Sequence, residues 1–85
     1  MIKIKVRKLT NDGKKVWEKD GVTSILPKVK TPFRFLYSDD FKLYEYQTGR
    51  VLKIFRRGKD EFTVINIITQ NSYYEIEKMT LFKEE

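Results

Sequence analysis

Residues 44–57, YEYQTGRVLKIFRR, set three aromatic and four cationic side chains around one Thr48-Gly49 step, with Glu45 as the only carboxylate. Apolar and polar residues alternate on both sides of that step, which is the period of a β-strand with one buried face. Thr48-Gly49 has the composition of a two-residue hairpin loop. Such a loop would set Gln47 opposite Arg50, Leu43 opposite Ile54, Tyr44 opposite Lys53 and Tyr46 opposite Val51. A second hairpin is expected across Gly58-Lys59, glycine first as a type II′ turn prefers. It would pair Phe55 with Phe62, Lys53 with Val64, Ile54 with Thr63 and Arg56 with Glu61.

This register sorts the ribbon into two faces. One holds Phe41, Leu43, Leu52, Ile54, Thr63, Ile65 and Ile67, a candidate core. The other holds Lys42, Tyr44, Tyr46, Val51, Lys53, Phe55, Arg57, Phe62 and Val64, and contains no acid. Rings interleaved with cations are what a single-stranded nucleic acid needs, because bases stack on aromatic faces while Lys and Arg neutralise phosphates. The competing interpretation buries the rings in the core and leaves the cations at its rim, as cross-strand pairs commonly do. A three-residue loop would slip the register by one and dissolve the face.

Working outward, Ile2, Ile4 and Val6 alternate with Lys3, Lys5 and Arg7, a strand with a cationic outer face. Asn11-Asp12-Gly13 supplies tight-turn chemistry, and the chain returns through Val16 and Trp17. Lys19-Asp20-Gly21 marks a further expected turn before VTSIL, and PKVKTP (27–32) is a connector whose prolines would interrupt a central ladder. FRFLY (33–37) leads to a turn at Ser38-Asp39-Asp40, where an Asp side chain bonding its own backbone is expected rather than a cation site. Trp17, the single tryptophan, is expected to pack in or beside the core.

These runs imply one domain over residues 1–85. Its expected class is all-β, a small antiparallel barrel or compact sandwich of five to seven short strands. The alternative is α+β, because Ser72-Tyr-Tyr-Glu75 fits a capping box that would open a helix over residues 73–83.

The chemistry is bounded by what is absent. There is no cysteine and no histidine, so neither a disulfide framework nor an ordinary zinc site is expected, and no cofactor is expected either. No serine, lysine or carboxylate has a recognisable activating neighbour and no glycine-rich phosphate loop occurs, so the chain reads as a non-enzyme. MIKIKVRKLTNDGKK lacks the apolar run of a signal peptide or membrane span, and the default expectation is a cytoplasmic protein.

Net charge is +6, unevenly placed. Residues 1–30 carry nine Lys/Arg against three acids, residues 31–60 seven against four, and residues 61–85 two against five. An anion-binding surface is therefore expected in the first two thirds. Two functions fit. The first is a nucleic-acid module in which Tyr44, Tyr46 and Phe55 stack bases while Lys42, Lys53 and Arg57 hold phosphates, helped by Lys3, Lys5 and Arg7. The second is a protein-interaction module, such as a small phage or mobile-element accessory or inhibitor protein that binds an acidic partner through the same rings. The Lys- and Ile-rich usage fits the AT-rich genomes of such elements.

Overall fold

In a computed structural model, which describes residues 1–59 and 62–79, the alternating segments form six antiparallel strands. They are β1 (Ile2–Leu9), β2 (Lys15–Thr23), β3 (Pro32–Asp39), β4 (Lys42–Lys59), β5 (Phe62–Thr69) and β6 (Tyr73–Met79). Strand order follows chain order, and β6 pairs back onto β1 to close a barrel. Closure leaves no first or last strand, so Lys3, Lys5 and Arg7 lie in a paired wall rather than on an edge.

Inward positions recur every second residue. Ile4, Val6, Phe33, Phe35, Val51, Ile65, Ile67, Tyr74 and Ile76 form the buried core, with Ile2, Trp17, Leu26, Tyr37, Tyr46 and Ile54 packed against it. Each fully buried aliphatic or aromatic side chain contributes ~1.5–3 kcal/mol to folding. The same alternation decides β6: Tyr74 and Ile76 point in while Glu75 and Glu77 line up outside, and a helix would scatter them. Ser72 does not cap a helix; its carbonyl accepts the Thr69 amide at 2.9 Å in the β5–β6 turn. The helical alternative is thereby overturned for residues 73–79, and residues 80–83 lie outside the described part.

The central hairpin is also corrected. Thr48-Gly49 is not a loop, because β4 runs through it for 18 residues. Lys42–Arg50 pairs with β3, and Val51–Lys59 pairs with β5. Closing a barrel requires neighbouring strands to stagger, and one long strand spans the offset between β3 and β5. Thr48 fits the wall because its side chain is buried and its Oγ1 accepts the Phe33 amide at 3.0 Å. Register shifts on either side of Val51 turn that residue into the core without reversing the strand.

The turns move accordingly. Asp39 pairs with Lys42, leaving Asp40 and Phe41 as a two-residue loop with φ of 51° and 64°, the signature of a type I′ turn. Gly58-Lys59 lies within β4, and Phe55 faces Asn66 rather than Phe62. The expected Arg56–Glu61 pairing is overturned as well, since Arg56 faces Ile65. Asn11-Asp12-Gly13 does turn the chain, with Gly13 at φ 87°.

Lys19-Asp20-Gly21 is not a turn either: β2 continues through it to Thr23. Gly21 is there for contact. A Cβ at this position would overlap the Leu36 carbonyl oxygen and come within 2.9 Å of the Phe35 ring. Gly21 thus lets β3 approach β2 along a seam of only two pairs, Gly21 with Tyr37 and Val22 with Leu36. Beyond it, residues 24–31 leave β2 and settle on β4, where the Lys30 amide donates to the Val51 carbonyl at 2.8 Å and the Val51 amide to that of Thr31 at 3.0 Å.

Candidate functional site

The nine side chains singled out from the sequence fall into three separate groups, because their expected common face needed a hairpin that does not form. On one continuous strand, Tyr44 and Tyr46 face one way and Lys53, Phe55 and Arg57 the other.

The first group closes one mouth of the barrel. Tyr44 lies opposite Tyr37 and stacks on it with centroids 5.5 Å apart and planes at 24°. Tyr46, half-buried, meets Trp17 edge-on at 5.1 Å, and its hydroxyl is 3.0 Å from that of Tyr74. Trp17 therefore packs at the edge of the core, as its sequence setting implies. Burial and the Tyr74 hydrogen bond both push the Tyr46 phenol well above its ordinary value. Lys19 reaches over the mouth, its Nζ 5.2 Å from the Trp17 ring centre and 4.6 Å from that of Tyr37. Cation–π attraction of this kind is worth ~0.5–1 kcal/mol at an exposed site. Lys42 is exposed at the start of β4.

The second group is the cationic face of β1, already occupied by the protein's own carboxylates. Arg7 Nε lies 2.7 Å from Glu18, Nη1 3.1 Å from Glu75 and Nη2 2.9 Å from Glu77. Lys5 pairs with Asp20 at 3.0 Å, and that hydrogen bond raises its pKa. Arg7 is likewise held protonated, chiefly by Glu77. Only Lys3 of the three stands exposed without an ion pair among the described residues.

The third group lies outside on the second half of β4. Phe55 is 52 % exposed and Lys53 projects into solvent. Arg57 is partly engaged, with Nε 3.1 Å from Asn66 Oδ1 and Nη2 2.6 Å from Glu75.

The fold adds residues to this third group that the sequence left in connectors. The hydrogen bonds between Lys30, Thr31 and Val51 lay the residue 24–31 connector against β4. The connector carries no acid and β4 only Glu45 near its start: no Asp or Glu occurs from Gly21 to Ser38, or from Tyr46 to Lys59. Their junction sets Lys30 beside Val51, between Arg50 and Lys53 in sequence, with exposed Lys28 on the same connector, while Arg56, opposite Ile65, lies on the other face of β4 from Phe55. None of these five cations forms a salt bridge among the described residues. The two acid-free runs were legible in the sequence; their contact was not, since a connector's docking leaves no periodic trace.

Among the described residues no three His, Cys, Asp or Glu side chains are grouped to hold a metal ion, and no helix is long and apolar enough to cross a membrane. No family model matches the chain, and no curated protein or solved structure is similar enough to it to count as a match.

Proposed function

We propose that this protein is a non-enzymatic binding module for single-stranded or structured nucleic acid, acting through the acid-free second half of β4 and the connector hydrogen-bonded to it at Val51. The observation that carries this reading is the division of charge around the barrel. Acids Glu18, Asp20, Glu75 and Glu77 are gathered on the β1, β2 and β6 side and neutralised there by Arg7, Lys5, Lys15 and Arg57. Lys28, Lys30, Arg50 and Lys53 lie in two acid-free runs that meet at Val51 and form no ion pair among the described residues, with Glu45 the one carboxylate lining the cleft beside Lys28. Phosphates would follow these cations, and a base would stack on the exposed ring of Phe55, an interaction worth ~1–3 kcal/mol. No basic helix is present among the described residues to enter a duplex groove, which favours single strands and loops. We place the protein in the cytoplasm, where a domain that holds together without disulfides is the ordinary case.

The test is fluorescence anisotropy of labelled oligonucleotides across a salt series. Affinity should fall steeply with salt, and Arg50→Glu with Lys53→Glu should weaken it by about tenfold or more while reducing the log–log salt slope by about one per lost phosphate contact. Phe55→Ala should weaken single-strand binding with the slope unchanged. Absence of binding by the folded wild-type protein at low salt would overturn the proposal.

A further inference from the structure

The tip of the β3–β4 hairpin is built at a cost. Phe41 occupies the second position of a type I′ turn at φ 64°, a place that favours glycine or asparagine, and its side chain is fully exposed. Two residues on, Leu43 points outward at 70 % exposure. A bulky ring held in left-handed backbone and presented wholly to water gains nothing within its own fold. Strain of this kind persists where the surroundings use it.

Next to the tip lies a groove of about 430 Å³ whose apolar lining includes Val22, Leu36, Leu43 and Met79, with Lys3 and Asp20 on its rim. It sits over the β2–β3 seam, where the two strands share only two residue pairs. Leu43 belongs to both features, which places ring and groove side by side on one surface.

We infer that this surface is a two-fold interface at which a second copy of the chain inserts its Phe41 into the groove beside Leu43, and receives the first copy's Phe41 in return. The charges support that occupant. The tip carries Asp39, Asp40 and Lys42, a net negative charge; beside the groove Lys5 and Asp20 neutralise each other and Lys3 is left as a positive charge without an ion pair among the described residues. A ring adjacent to its own receptor groove is the arrangement a two-fold axis closes, because each patch then meets its own image. The interface is separate from Lys28, Lys30, Arg50 and Lys53, so it stands whether or not the protein binds nucleic acid.

Sedimentation equilibrium of the full chain tests it, with four variants: Phe41→Gly, Lys3→Glu, Asp40→Lys and the last two combined. The wild-type protein is expected to show reversible dimers. Phe41→Gly should raise the dimer dissociation constant at least about tenfold while the thermal midpoint of the dissociated monomer holds or rises, because glycine accepts φ 64° without strain. That opposite movement separates lost association from lost folding. Lys3→Glu and Asp40→Lys should each weaken the dimer, and together restore it by exchanging the signs across the axis. A wild-type protein that stays monomeric at its solubility limit, a Phe41→Gly protein that dimerises as tightly as wild type, or a double variant weaker than both singles would overturn the inference.

Discussion

Arg7 and Glu75 are 68 residues apart in sequence and face each other across the β1–β6 seam, Nη1 3.1 Å from Oε1. The same guanidinium takes Glu77 on β6 and Glu18 on β2, so one side chain ties together the three strands that meet where the barrel closes. A planar fork with several donors can do this; a single ammonium cannot. Arg7→Ala leaves three carboxylates facing one another, each still a quarter or so open to solvent. It should cost about 1–3 kcal/mol in urea unfolding, with Arg7→Lys recovering only part of it. Oligonucleotide affinity per folded molecule should not change, which separates this arginine from the cations of β4.

The same cluster sets the response to acid. Burial opposes ionisation of Glu18, yet Lys15 and Arg7 outweigh it and hold the carboxyl below its ordinary 4.5; Asp12 is lowered by the Thr10 hydroxyl. A carboxyl lowered in the folded state contributes stability above its unfolded value and loses it as pH falls through the folded one. The thermal midpoint should therefore be flat near neutrality and drop once pH passes below about 4.5. Glu18→Gln should start lower at neutral pH and fall less on acidification. An identical slope for both proteins would remove Glu18 from the explanation.

At the other end of the scale, Tyr46 favours its neutral form because burial and the Tyr74 hydroxyl disfavour a phenolate there. A group whose folded pKa is raised gives stability below its unfolded value, near 10, and that stability is lost as pH rises further. Difference absorbance should show a tyrosine that ionises only with alkaline unfolding, and Tyr46→Phe should abolish that component. The phenylalanine variant should lose ~1 kcal/mol at neutral pH for the missing hydrogen bond, and be less sensitive to alkali than wild type.

The all-β class was legible because alternation is local: Ile4, Val6 and Ile76 announce inward faces by their immediate neighbours. The course of β4 was not. Thr48-Gly49 has loop composition, and it is the Phe33 amide, 15 residues away, that ties the Thr48 hydroxyl across to β3 and keeps it in the wall. Reading that step as a turn moved Tyr44 and Tyr46 onto the face of Lys53 and Phe55, and so merged two surfaces that the barrel keeps on opposite sides. The cationic β1 face misled for a related reason. Glu75 and Glu77, which neutralise Arg7, come from the far end of the chain. A charge count by thirds registered the acidic tail without showing which cations it silences.

Gly21 is where these non-local demands concentrate. With only Gly21–Tyr37 and Val22–Leu36 paired between β2 and β3, and the Thr23 hydroxyl donating to the Arg34 carbonyl at 3.0 Å beside them, the seam depends on the backbones lying closer than a side chain allows. Gly21→Ala should force Leu36 away or rotate the Phe35 ring, at a cost of about 1–3 kcal/mol by the usual scale for overpacking. The damage should be local first. Amide hydrogen exchange should accelerate at Val22, Leu36 and Tyr37 while Val6 and Ile76, on the β1–β6 seam, keep their protection. Uniform acceleration across all strands would mean instead that the barrel opens as one unit and that this seam is no weaker than the rest.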